Sequence, residues 1–590
     1  MCGIIGYASK SFKNLDLQNS LELLKHRGPD SQNFLDYDNC SLGMVRLAII
    51  DIDNGLQPMS DVSSRYTIVY NGEIFNSNSL RELLIDKGYV FKTKNSDTEV
   101  VLAAYVIYGD KCVEKFNGMF SFVIYDKYEN ILFGAIDSFG IKPMYYTRSK
   151  DILYFSSEIN SLINLSKIKK DLNYESIYNY FQLQYIPFDQ TIYNNIHKLT
   201  PNTFFKYQIN NDLFKLYNYE KKIHNKTDFK IEELDHYLNT AIINWSASEK
   251  KVALSLSGGL DSSLIAYYLK RNKIDFEAFT LSYSDNIYND YNENITTSLF
   301  CNKHDIILNQ VTLNSTIFNN NIETIFKHMQ EPYAGGLPSF FVYKAMKEHN
   351  FKVALTGVGG DEIFGNYGKW KKYYNLIFFL KQNIKLIIAD KNYNILNYHG
   401  NMYMKFNSIN TINSLFINHH HHHNLNTHIE NIIDKSTSYF SFKDIQRKID
   451  INLQLPYEFL FMTDRLSMAN SIEARTPFLD KNLYNYICNL DINKISNKKD
   501  PKYALRKLFI RNIQDFSIPP LKKGFVIPEE LLYNKKNEIL NFLTSFSFLK
   551  SQNIFNYKLD IFKENKIKEN KNLYKSFINF QLFYFYNVHE

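Results

Sequence analysis

The sequence has few cysteines, and their spacing suits neither a disulfide-stapled fold nor a metal site. There are five in 590 residues, scattered along the chain and odd in number. Neither a disulfide framework nor a zinc site is therefore indicated. Reduced thiols are typical of the cytoplasm, so this pattern predicts a cytoplasmic protein.

Long apolar runs and a secretory signal are also lacking. No apolar run reaches the roughly 18 residues that a transmembrane helix needs. The longest candidate, residues 376–390, is interrupted by Lys381, Gln382 and Lys385. The N-terminal residues contain no basic region followed by an apolar stretch. We therefore expect no association with a membrane.

Positive charge is not concentrated in one place. The net charge is +7, and no dense block of Lys and Arg occurs. A protein that binds nucleic acid would carry such a block or a basic surface module. We therefore expect small molecules, and not nucleic acids, as the partners of this chain.

Two patterns of secondary structure follow each other along the chain. In the first, the predicted elements are strands at residues 67–70 and 118–126 and helices at 80–87 and 98–108. Strands and helices mix there without βαβ regularity, which favours an α+β layered domain. In the second, the predicted elements are strands at 251–256, 276–283 and 351–356 and a helix at 262–271. Such strand–loop–helix units predict a parallel α/β sheet.

We therefore predict two domains, residues 1–200 and 201–590, with the link between residues 189 and 232. The region 370–450 is rich in Asn, Lys and Tyr and is predicted to add helices and loops. It contains five consecutive histidines, residues 419–423. A histidine tract can bind metal, but this one lacks a regular ligand spacing, so a tract without a metal role is favoured.

Cys2 has the features of a nucleophile. It follows Met1 and precedes a glycine, and a small side chain at position 2 permits removal of the initiator Met1. The α-amine freed beside the thiol has a pKa of about 8, so it can act as a base near neutrality. The thiolate is the reactive form of cysteine. The alternative is an incidental cysteine in an N-terminal strand.

Four further segments follow in an order known from one domain family. They are residues 26–30 (HRGPD), 46–51 (RLAIID), 70–76 (YNGEIFN) and 96–99 (SDTE). With residues 1–6 (MCGIIG), they resemble the glutaminase domain of the class II glutamine amidotransferases. The resemblance implies an Ntn-hydrolase-like fold in which Cys2 hydrolyses glutamine.

The same resemblance assigns five residues to the glutamine site. Asn71, through its side chain, and Gly72, through its backbone N–H, would stabilise the oxyanion that forms when a thiolate attacks an amide. Arg46 would pair with the α-carboxylate, for which a guanidinium is a bidentate match. Asp97 would hold the α-ammonium, and Glu73 would help to position the substrate. A helix N-cap is the alternative for Asp97, because an apolar-periodic stretch begins directly after it.

A second motif, residues 257–263 (SGGLDSS), lies between a predicted strand and a predicted helix. It is not a Walker A loop, because no Gly-Lys-Ser/Thr ending is present. Glycines nevertheless allow the backbone to approach an anion, and N–H groups at a helix start point at it. The motif resembles the pyrophosphate loop of ATP pyrophosphatases, which cleave ATP to AMP and pyrophosphate. A related loop, residues 356–362 (TGVGGDE), follows another predicted strand.

The resemblance implies the following ATP contacts: Leu256, Ser257, Gly258, Gly259, Asp261, Ser262, Ser263, Leu281, Thr356 and Gly357. Asp261 and Asp361 are expected to bind Mg²⁺, which favours one or two carboxylates together with phosphate oxygens. The alternative for each aspartate is a turn or N-cap residue.

Residues 464–480 (DRLSMANSIEARTPFLD) resemble a signature of asparagine synthetases, and residues 521–528 resemble the family's next element. The segment 498–508 resembles the one that carries a catalytic lysine. Lys502 is favoured over Lys498 and Lys499 because it directly precedes the Tyr-Ala-Leu-Arg stretch; solvated lysines are the alternative. The chain thus resembles type B asparagine synthetases, which implies ATP-driven, glutamine-dependent conversion of aspartate to asparagine through an acyl-AMP. A homodimer is expected by analogy alone.

Val358 departs from the family pattern, because many asparagine synthetases have a glutamate at this position. An acceptor other than aspartate, such as a sugar acid of bacterial surface polysaccharides, is therefore kept as an alternative. Two rivals of other classes are a tRNA-modifying enzyme with the same ATP loop and an inactive, binding-only protein. The first would need a basic RNA-binding surface, and the intact motifs disfavour the second.

Overall fold

The computed structural model of the chain describes residues 2–11, 15–52, 54–219, 228–284, 294–365, 442–497, 500–514 and 516, with a few residues near the C-terminal end (576, 579–580 and 583–589). Several features discussed above lie outside the described residues. These are the segment 376–390, the histidine tract 419–423, Lys498, Lys499 and the segment 521–528.

The N-terminal unit contains two antiparallel sheets of six strands each. The first sheet consists of β1 (Gly3–Ser9), β2 (Ser31–Asp36), β3 (Cys40–Arg46), β8 (Tyr145–Ser149), β9 (Ile152–Ser156) and β10 (His197–Lys198), in the order β10-β8-β9-β1-β3-β2. The second consists of β4 (Met59–Ser60), β5 (Tyr66–Ile74), β6 (Gly118–Asp126), β7 (Ile131–Ile136), β11 (Thr203–Gln208) and β12 (Leu213–Asn218), in the order β12-β11-β7-β6-β5-β4.

The two sheets face each other, and helices cover their outer faces. The helices are α1 (Leu17–Glu22), α2 (Ser77–Asp86), α3 (Asp97–Tyr108), α4 (Ile159–Ser166) and α5 (Tyr174–Leu183). Side chains alternate along β1, as the period of two requires. Ile4 and Ala8 pack in the core between the sheets, whereas Ile5 and Tyr7 pack in the core that includes α1, α4 and α5. The predicted α+β layered domain is confirmed.

The hairpin β11–β12 lies beyond residue 200, where the first predicted domain ends, yet it belongs to the second antiparallel sheet. Phe204 of β11 pairs with Ala135 of β7, and β11 also pairs with β12. Both strands therefore complete the second sheet, because their main-chain hydrogen bonds are made there. The first unit extends to Asn218, and the next described helix begins at Ile231.

The second unit contains a five-stranded parallel sheet, as predicted. Its strands are β13 (Val252–Ser255), β14 (Phe276–Tyr283), β15 (Leu308–Leu313), β16 (Val353–Leu355) and β17 (Glu473–Arg475), in the order β15-β14-β13-β16-β17. Its helices are α6 (Ile231–Ser246), α7 (Leu260–Arg271), α8 (Asn294–Lys303), α9 (Ser315–Met329), α10 (Ser339–Glu348), α11 (Gly360–Phe364), α12 (Phe442–Ile449), α13 (Phe461–Met468), α14 (Lys481–Cys488), α15 (Ile492–Ile495) and α16 (Tyr503–Asn512).

Helices cover both faces of this sheet. Val252 and Leu254 of β13 pack in one core with α6, α7 and α16. Ala253, between them, packs in the other core with α9 and α10. Strands buried on both faces read as continuous apolar runs, which is why residues 251–256 predicted a buried strand. Within the part of the chain that the structure describes, no helix is long and apolar enough to span a membrane.

Candidate active sites

Cys2 lies directly before β1, next to Asn71 in β5 of the facing sheet. The backbone N–H of Cys2 donates a hydrogen bond to Asn71 Oδ1 at 3.1 Å. Asn71 is fully buried, and its Nδ2 has no hydrogen-bond partner among the described residues. A buried donor without a partner is costly, so this amide group is available to an acceptor that enters the site.

The Cys2 thiol is nearly buried, and this burial raises its pKa. The positive amino terminus, a hydrogen bond from the Leu47 backbone and the charge of Arg46 work in the opposite direction, while Glu473 raises the pKa further. The thiolate is the nucleophilic form, so this thiol needs a base to become reactive.

Arg46, at the end of β3, uses its guanidinium to hold the loop that follows it. Its Nη1 donates to the carbonyl of Ile52 at 2.7 Å, and its Nη2 donates to the carbonyls of Asp51 at 2.7 Å and Ile50 at 3.3 Å. The charge of Arg46 acts on the Cys2 thiol, and both of its terminal nitrogens donate to backbone oxygens. The sequence pattern gave no sign of these loop contacts.

Asp97 is the first residue of α3, and Ser96 is the N-cap position. The carboxylate of Asp97 accepts hydrogen bonds from the Tyr70 hydroxyl at 2.8 Å and from the backbone N–H of Ile74 at 3.3 Å. The N-cap alternative for Asp97 is therefore wrong, because the side chain reaches β5. Burial raises the pKa of Asp97 to about 6 against the hydrogen bond from Tyr70. Burial, and next the charge of Asp97, raise the pKa of Glu73 well above its usual value.

Gly72 lies in β5, where no side chain fits. A Cβ atom at this position would lie 2.3 Å from the carbonyl oxygen of Met119 and 2.7 Å from Cα of Phe120 in β6. Gly72 is therefore required for the close approach of these two strands, and its backbone follows that of Asn71 directly.

The two glycine loops of the second unit leave the carboxyl ends of neighbouring parallel strands. The loop with residues 257–259 follows β13 and leads into α7, while the loop with residues 356–359 follows β16 and leads into α11. This edge of an open α/β sheet is where ligands bind. Gly258 has φ +69° and Gly359 has φ +92°, a backbone conformation that favours glycine.

Three charged residues meet where the two loops meet. Lys502 Nζ donates to both carboxylate oxygens of Asp261, at 2.6 and 2.5 Å, and lies 2.8 Å from Oδ1 of Asp361. All three side chains are nearly buried. A Cβ atom on Gly360 would lie 2.8 Å from Asp261 Oδ1, so the loops are in close contact.

The remaining residues predicted to bind ATP surround this point from both strands. Ser257 and Ser262 hydroxyls are 3.2 Å apart, and the Ser262 hydroxyl also donates to the carbonyl of Gly259. The backbone of Leu256 donates to that of Phe279 in β14. The other members of the predicted set are buried or half-buried at the strand ends or the helix start: Ser263, Leu281, Thr356 and Gly357.

Some charged residues were part of the quoted motifs, yet their contacts across the two units were not predicted. Arg27 of the first unit is fully buried and forms a bidentate pair with Asp464 at 2.9 and 3.0 Å. Arg475 of β17 lies 3.7 Å from Glu73. The only sign that these residues matter was their place inside the motif segments. A sequence does not show which motif segments come into contact in the fold.

A layered domain that places a cysteine beside an asparagine with an Nδ2 that is free within the described residues, joined to a parallel sheet with two glycine loops, is the arrangement expected of a glutamine-dependent amidotransferase. Residues 1–220 match the family described as "Glutamine amidotransferase domain", and residues 233–558 match "Asparagine synthase". The chain therefore belongs to the asparagine synthase family, whose members use ATP as a co-substrate, and it carries out glutamine-dependent amidation.

Named relatives agree with this assignment over most of the chain. "Asparagine synthetase [glutamine-hydrolyzing] 1" of Bacillus subtilis (strain 168) is 29% identical over 571 residues, covering 91% of this chain and 89% of that protein. "Asparagine synthetase [glutamine-hydrolyzing] 3" of the same strain is 27% identical, covering 91% and 86%. "Putative asparagine synthetase [glutamine-hydrolyzing] 2" of Methanocaldococcus jannaschii is 30% identical over 414 residues, covering 65% and 78%.

Proposed function

We propose that this chain converts L-aspartate to L-asparagine through an acyl-AMP, with nitrogen taken from glutamine. The observation that carries the proposal is the meeting of Asp261, Asp361 and Lys502 at the carboxyl edge of the parallel sheet. In the same chain, Cys2 lies beside the buried Asn71 amide, whose Nδ2 has no hydrogen-bond partner among the described residues. The proposal thus assigns ATP cleavage to the first group of residues and glutamine cleavage to the second.

In the first site, the Cys2 thiolate attacks the side-chain amide carbon of glutamine. The α-amine of Cys2, freed by removal of Met1, takes the thiol proton and passes it to the leaving nitrogen, so that ammonia departs and a thioester remains. Nδ2 of Asn71 and the backbone N–H of Gly72 stabilise the oxyanion of each tetrahedral intermediate. Water then cleaves the thioester and releases glutamate.

The substrate is held at its α-carbon by the charged residues near Cys2. Arg46 lies beside the thiol, and its charge suits the α-carboxylate. Asp97 and Glu73 lie near each other and supply negative charge for the α-ammonium. The hydrogen bonds from Tyr70 and Ile74 fix the Asp97 carboxylate, so its position is set before glutamine binds.

In the second site, an oxygen of the acceptor carboxylate attacks the α-phosphorus of ATP, and the bond to pyrophosphate breaks. Adenylation is needed because a free carboxylate has a very poor leaving group. Ammonia then attacks the acyl carbon, AMP leaves, and the surplus proton goes to solvent. Lys502 offsets negative charge on the phosphates. The backbone and hydroxyls of the 257–263 loop cradle the pyrophosphate at the start of α7.

Asp261 and Asp361 are the residues that would hold Mg²⁺. Both carboxylates converge on a single cationic group, Lys502 Nζ, so their oxygens already face one position of positive charge. Such a pair, completed by phosphate oxygens, fits the donor set of Mg²⁺. The ion would neutralise charge on the phosphates when ATP is bound.

Ammonia would pass between the two sites through apolar surroundings. Met119 and Ile141 of the first unit belong to the same buried apolar cluster as Leu256 and Leu355 of the second. Water-poor surroundings favour neutral ammonia over the ammonium ion, because burial of an unpaired charge is costly. The cluster therefore supports direct transfer without loss to bulk water.

The position of Val358 is relevant to the identity of the acceptor carboxylate. Its side chain is half-buried against the same apolar cluster, and its backbone N–H donates to the Thr356 hydroxyl at 3.2 Å. A valine can neither take a proton nor attract ammonium. This observation favours a second candidate function, namely the same chemistry on another carboxylate such as a sugar acid.

The test is pyrophosphate release with glutamine, Mg²⁺-ATP and L-aspartate, with asparagine followed by mass spectrometry. Asparagine and pyrophosphate in equal amounts would support aspartate as the acceptor. Glutamate release without asparagine would exclude aspartate, and a panel of sugar acids would follow. Absence of ATP–pyrophosphate exchange with every acceptor would contradict the synthetase activity.

A further inference from the structure

The strand β17 joins the sheet that carries the ATP loops, and Arg475 is its last residue. Leu355, the last residue of β16, is paired with Arg475. Directly after it, the backbone N–H of Thr356 donates to the carbonyl of Arg475 at 2.9 Å. The second glycine loop begins at Thr356, so the backbone of Arg475 is bonded to the start of that loop.

The side chain of Arg475 lies where the second unit meets the glutaminase unit. It is fully buried. Its Nε donates to Glu473 Oε1 at 2.6 Å, and its Nη1 donates to the carbonyls of Trp245 and Ala247 at 3.1 and 2.5 Å. Its Nη2 lies 3.7 Å from Oε2 of Glu73. The guanidinium is therefore clamped on two nitrogens, and the third faces the glutamine site.

Nη2 has no hydrogen-bond partner within the described ranges. The distance to Glu73 is that of an ion pair and not of a hydrogen bond. A buried guanidinium nitrogen without a hydrogen bond is costly to leave, so a small approach of Glu73 would be favourable. Arg475 therefore acts on Glu73 through its charge and not through a hydrogen bond.

The charges around Glu73 come from several elements. Asp97 of α3, Glu473 of β17 and the Tyr70 hydroxyl of β5 face it, together with the positive amino terminus and Arg475. Burial is the largest influence that raises the pKa of Glu73, and Asp97 adds to it, whereas Arg475 lowers it. Burial would also raise the pKa of Glu473, but the amino terminus, Arg475 and Lys142 outweigh it and hold that pKa at about 2.

We propose that Arg475 is a positioning residue shared by the two active sites. Its guanidinium holds the Glu73 carboxylate in place for glutamine, and its backbone carbonyl holds the first residue of the ATP loop. Occupation of that loop by ATP therefore changes the rate of glutamine hydrolysis. The inference rests on the proposed function, in which Glu73 is part of the glutamine site.

The test measures glutamate release against glutamine concentration, with and without Mg²⁺-ATP, in the wild type and in Arg475→Gln. No acceptor is needed, so the result does not depend on the acceptor's identity. In the wild type, Mg²⁺-ATP is expected to change kcat/KM for glutamine. In Arg475→Gln, KM is expected to rise about tenfold with a smaller change in kcat, and the effect of Mg²⁺-ATP is expected to vanish.

The pH profile separates positioning from a merely structural role. Removal of the Arg475 charge raises the pKa of Glu73 further, so the part of the acid limb of kcat/KM that Glu73 contributes, beside that of Asp97, is expected to move to higher pH. Arg475→Lys keeps the charge without the planar fork and is expected to restore the limb but not the full affinity. The matched control is Arg511→Gln, which removes a half-exposed arginine paired with Glu232 at 3.0 Å.

If Arg475→Gln folds and shows an unchanged KM for glutamine and an unchanged acid limb of kcat/KM, Arg475 does not position Glu73. A wild-type enzyme whose glutamine hydrolysis is indifferent to Mg²⁺-ATP would overturn the link to the loop. If Arg475→Gln does not fold, Arg475→Lys provides the test. An unchanged KM for glutamine and an unchanged response to Mg²⁺-ATP in Arg475→Lys would show that the planar guanidinium is not needed. Failure of the proposed function itself has another signature, namely glutamine hydrolysis that survives Cys2→Ala.

Discussion

At the scale of single residues, the glutamine site contains a thiol that its surroundings do not activate. Burial raises the pKa of Cys2, and the positive amino terminus, the Leu47 backbone and Arg46 offset this only in part. Activation of the thiol therefore needs a base, and the candidate is the α-amine of Cys2 itself. The Asn71 amide, by contrast, is prepared in advance, because the Cys2 N–H fixes its orientation through Oδ1.

We expect Cys2→Ala to abolish glutamine-dependent amidation and to leave ammonia-dependent amidation close to the wild-type rate. The substitution removes the nucleophile while the second active site stays intact. Pyrophosphate release with glutamine or with ammonium chloride as the nitrogen source measures both. Glutamine-dependent turnover that persists in this variant would remove Cys2 from the mechanism.

The acidity of Asp97 predicts how glutamine affinity depends on pH. Its pKa is raised to about 6, and only the carboxylate attracts the α-ammonium of glutamine. The attraction is therefore present above pH 6 and is lost as the pH falls through this value. We expect kcat/KM for glutamine to decrease on acidification near pH 6, because this ratio reports the free enzyme.

The matched variant for this prediction is Asp97→Asn, which has no charge to lose. Its kcat/KM for glutamine should be low at every pH and should lack the decrease attributed to Asp97. An Asp97→Asn profile that matches the wild type would assign the acid limb to another group. Ammonia-dependent turnover, which does not involve the glutamine site, serves as the control reaction.

At the scale of elements, the ATP site is made by two helix starts that meet. The loops before α7 and α11 leave adjacent parallel strands, β13 and β16, and both run to the same edge of the sheet. Lys502, directly before α16, reaches both aspartates from a third element. The charge cluster therefore depends on how closely these three elements pack.

Gly360→Ala tests this packing. The added Cβ atom would lie 2.8 Å from Asp261 Oδ1 and 2.9 Å from its Cγ, and the ion pair with Lys502 limits how far Asp261 can move. We expect pyrophosphate release to fall at least about tenfold with either nitrogen donor, because a small displacement of a catalytic group is costly. Glutamate release, measured on the same variant, should persist. Unchanged pyrophosphate release would show that the loops can separate without loss.

At the scale of the whole molecule, the two units are joined through buried charge. The Arg27 guanidinium pairs with Asp464 of α13 and with Glu158, and Glu158 also pairs with Arg465. Arg27 in addition donates to the carbonyl of Cys2 at 3.2 Å. The charged interface thus contacts Cys2, the proposed nucleophile, directly.

We expect Asp464→Asn to destabilise the protein by about 3–5 kcal/mol, because it leaves a buried guanidinium without its bidentate partner. Urea denaturation of the two proteins measures the difference. The control is Glu232→Gln, which removes an exposed partner of Arg511 and should cost less than about 1 kcal/mol. Equal effects of the two substitutions would show that the Arg27–Asp464 pair contributes no more than a surface pair.

The sequence by itself determined the elements and their chemistry. The predicted strand at residues 118–126 and the strand at 276–283 are present with the same bounds, because continuous apolar runs specify buried strands. The motif segments predicted the family, and the candidate residues Cys2, Asn71 and Lys502 were named from them. Local sequence patterns were sufficient to predict structure wherever the contacts of a residue come from its own segment.

Only the tertiary structure decided which segments meet. The hairpin β11–β12 belongs to the first unit because β7 offers it a free edge, which no local pattern shows. Asp97 reaches β5 because α3 packs on that sheet, so a local N-cap rule failed. Arg475 faces Glu73, which lies in a distant part of the sequence. Side-chain contacts between distant segments depend on how the layers pack, and this packing arises only when the whole chain folds.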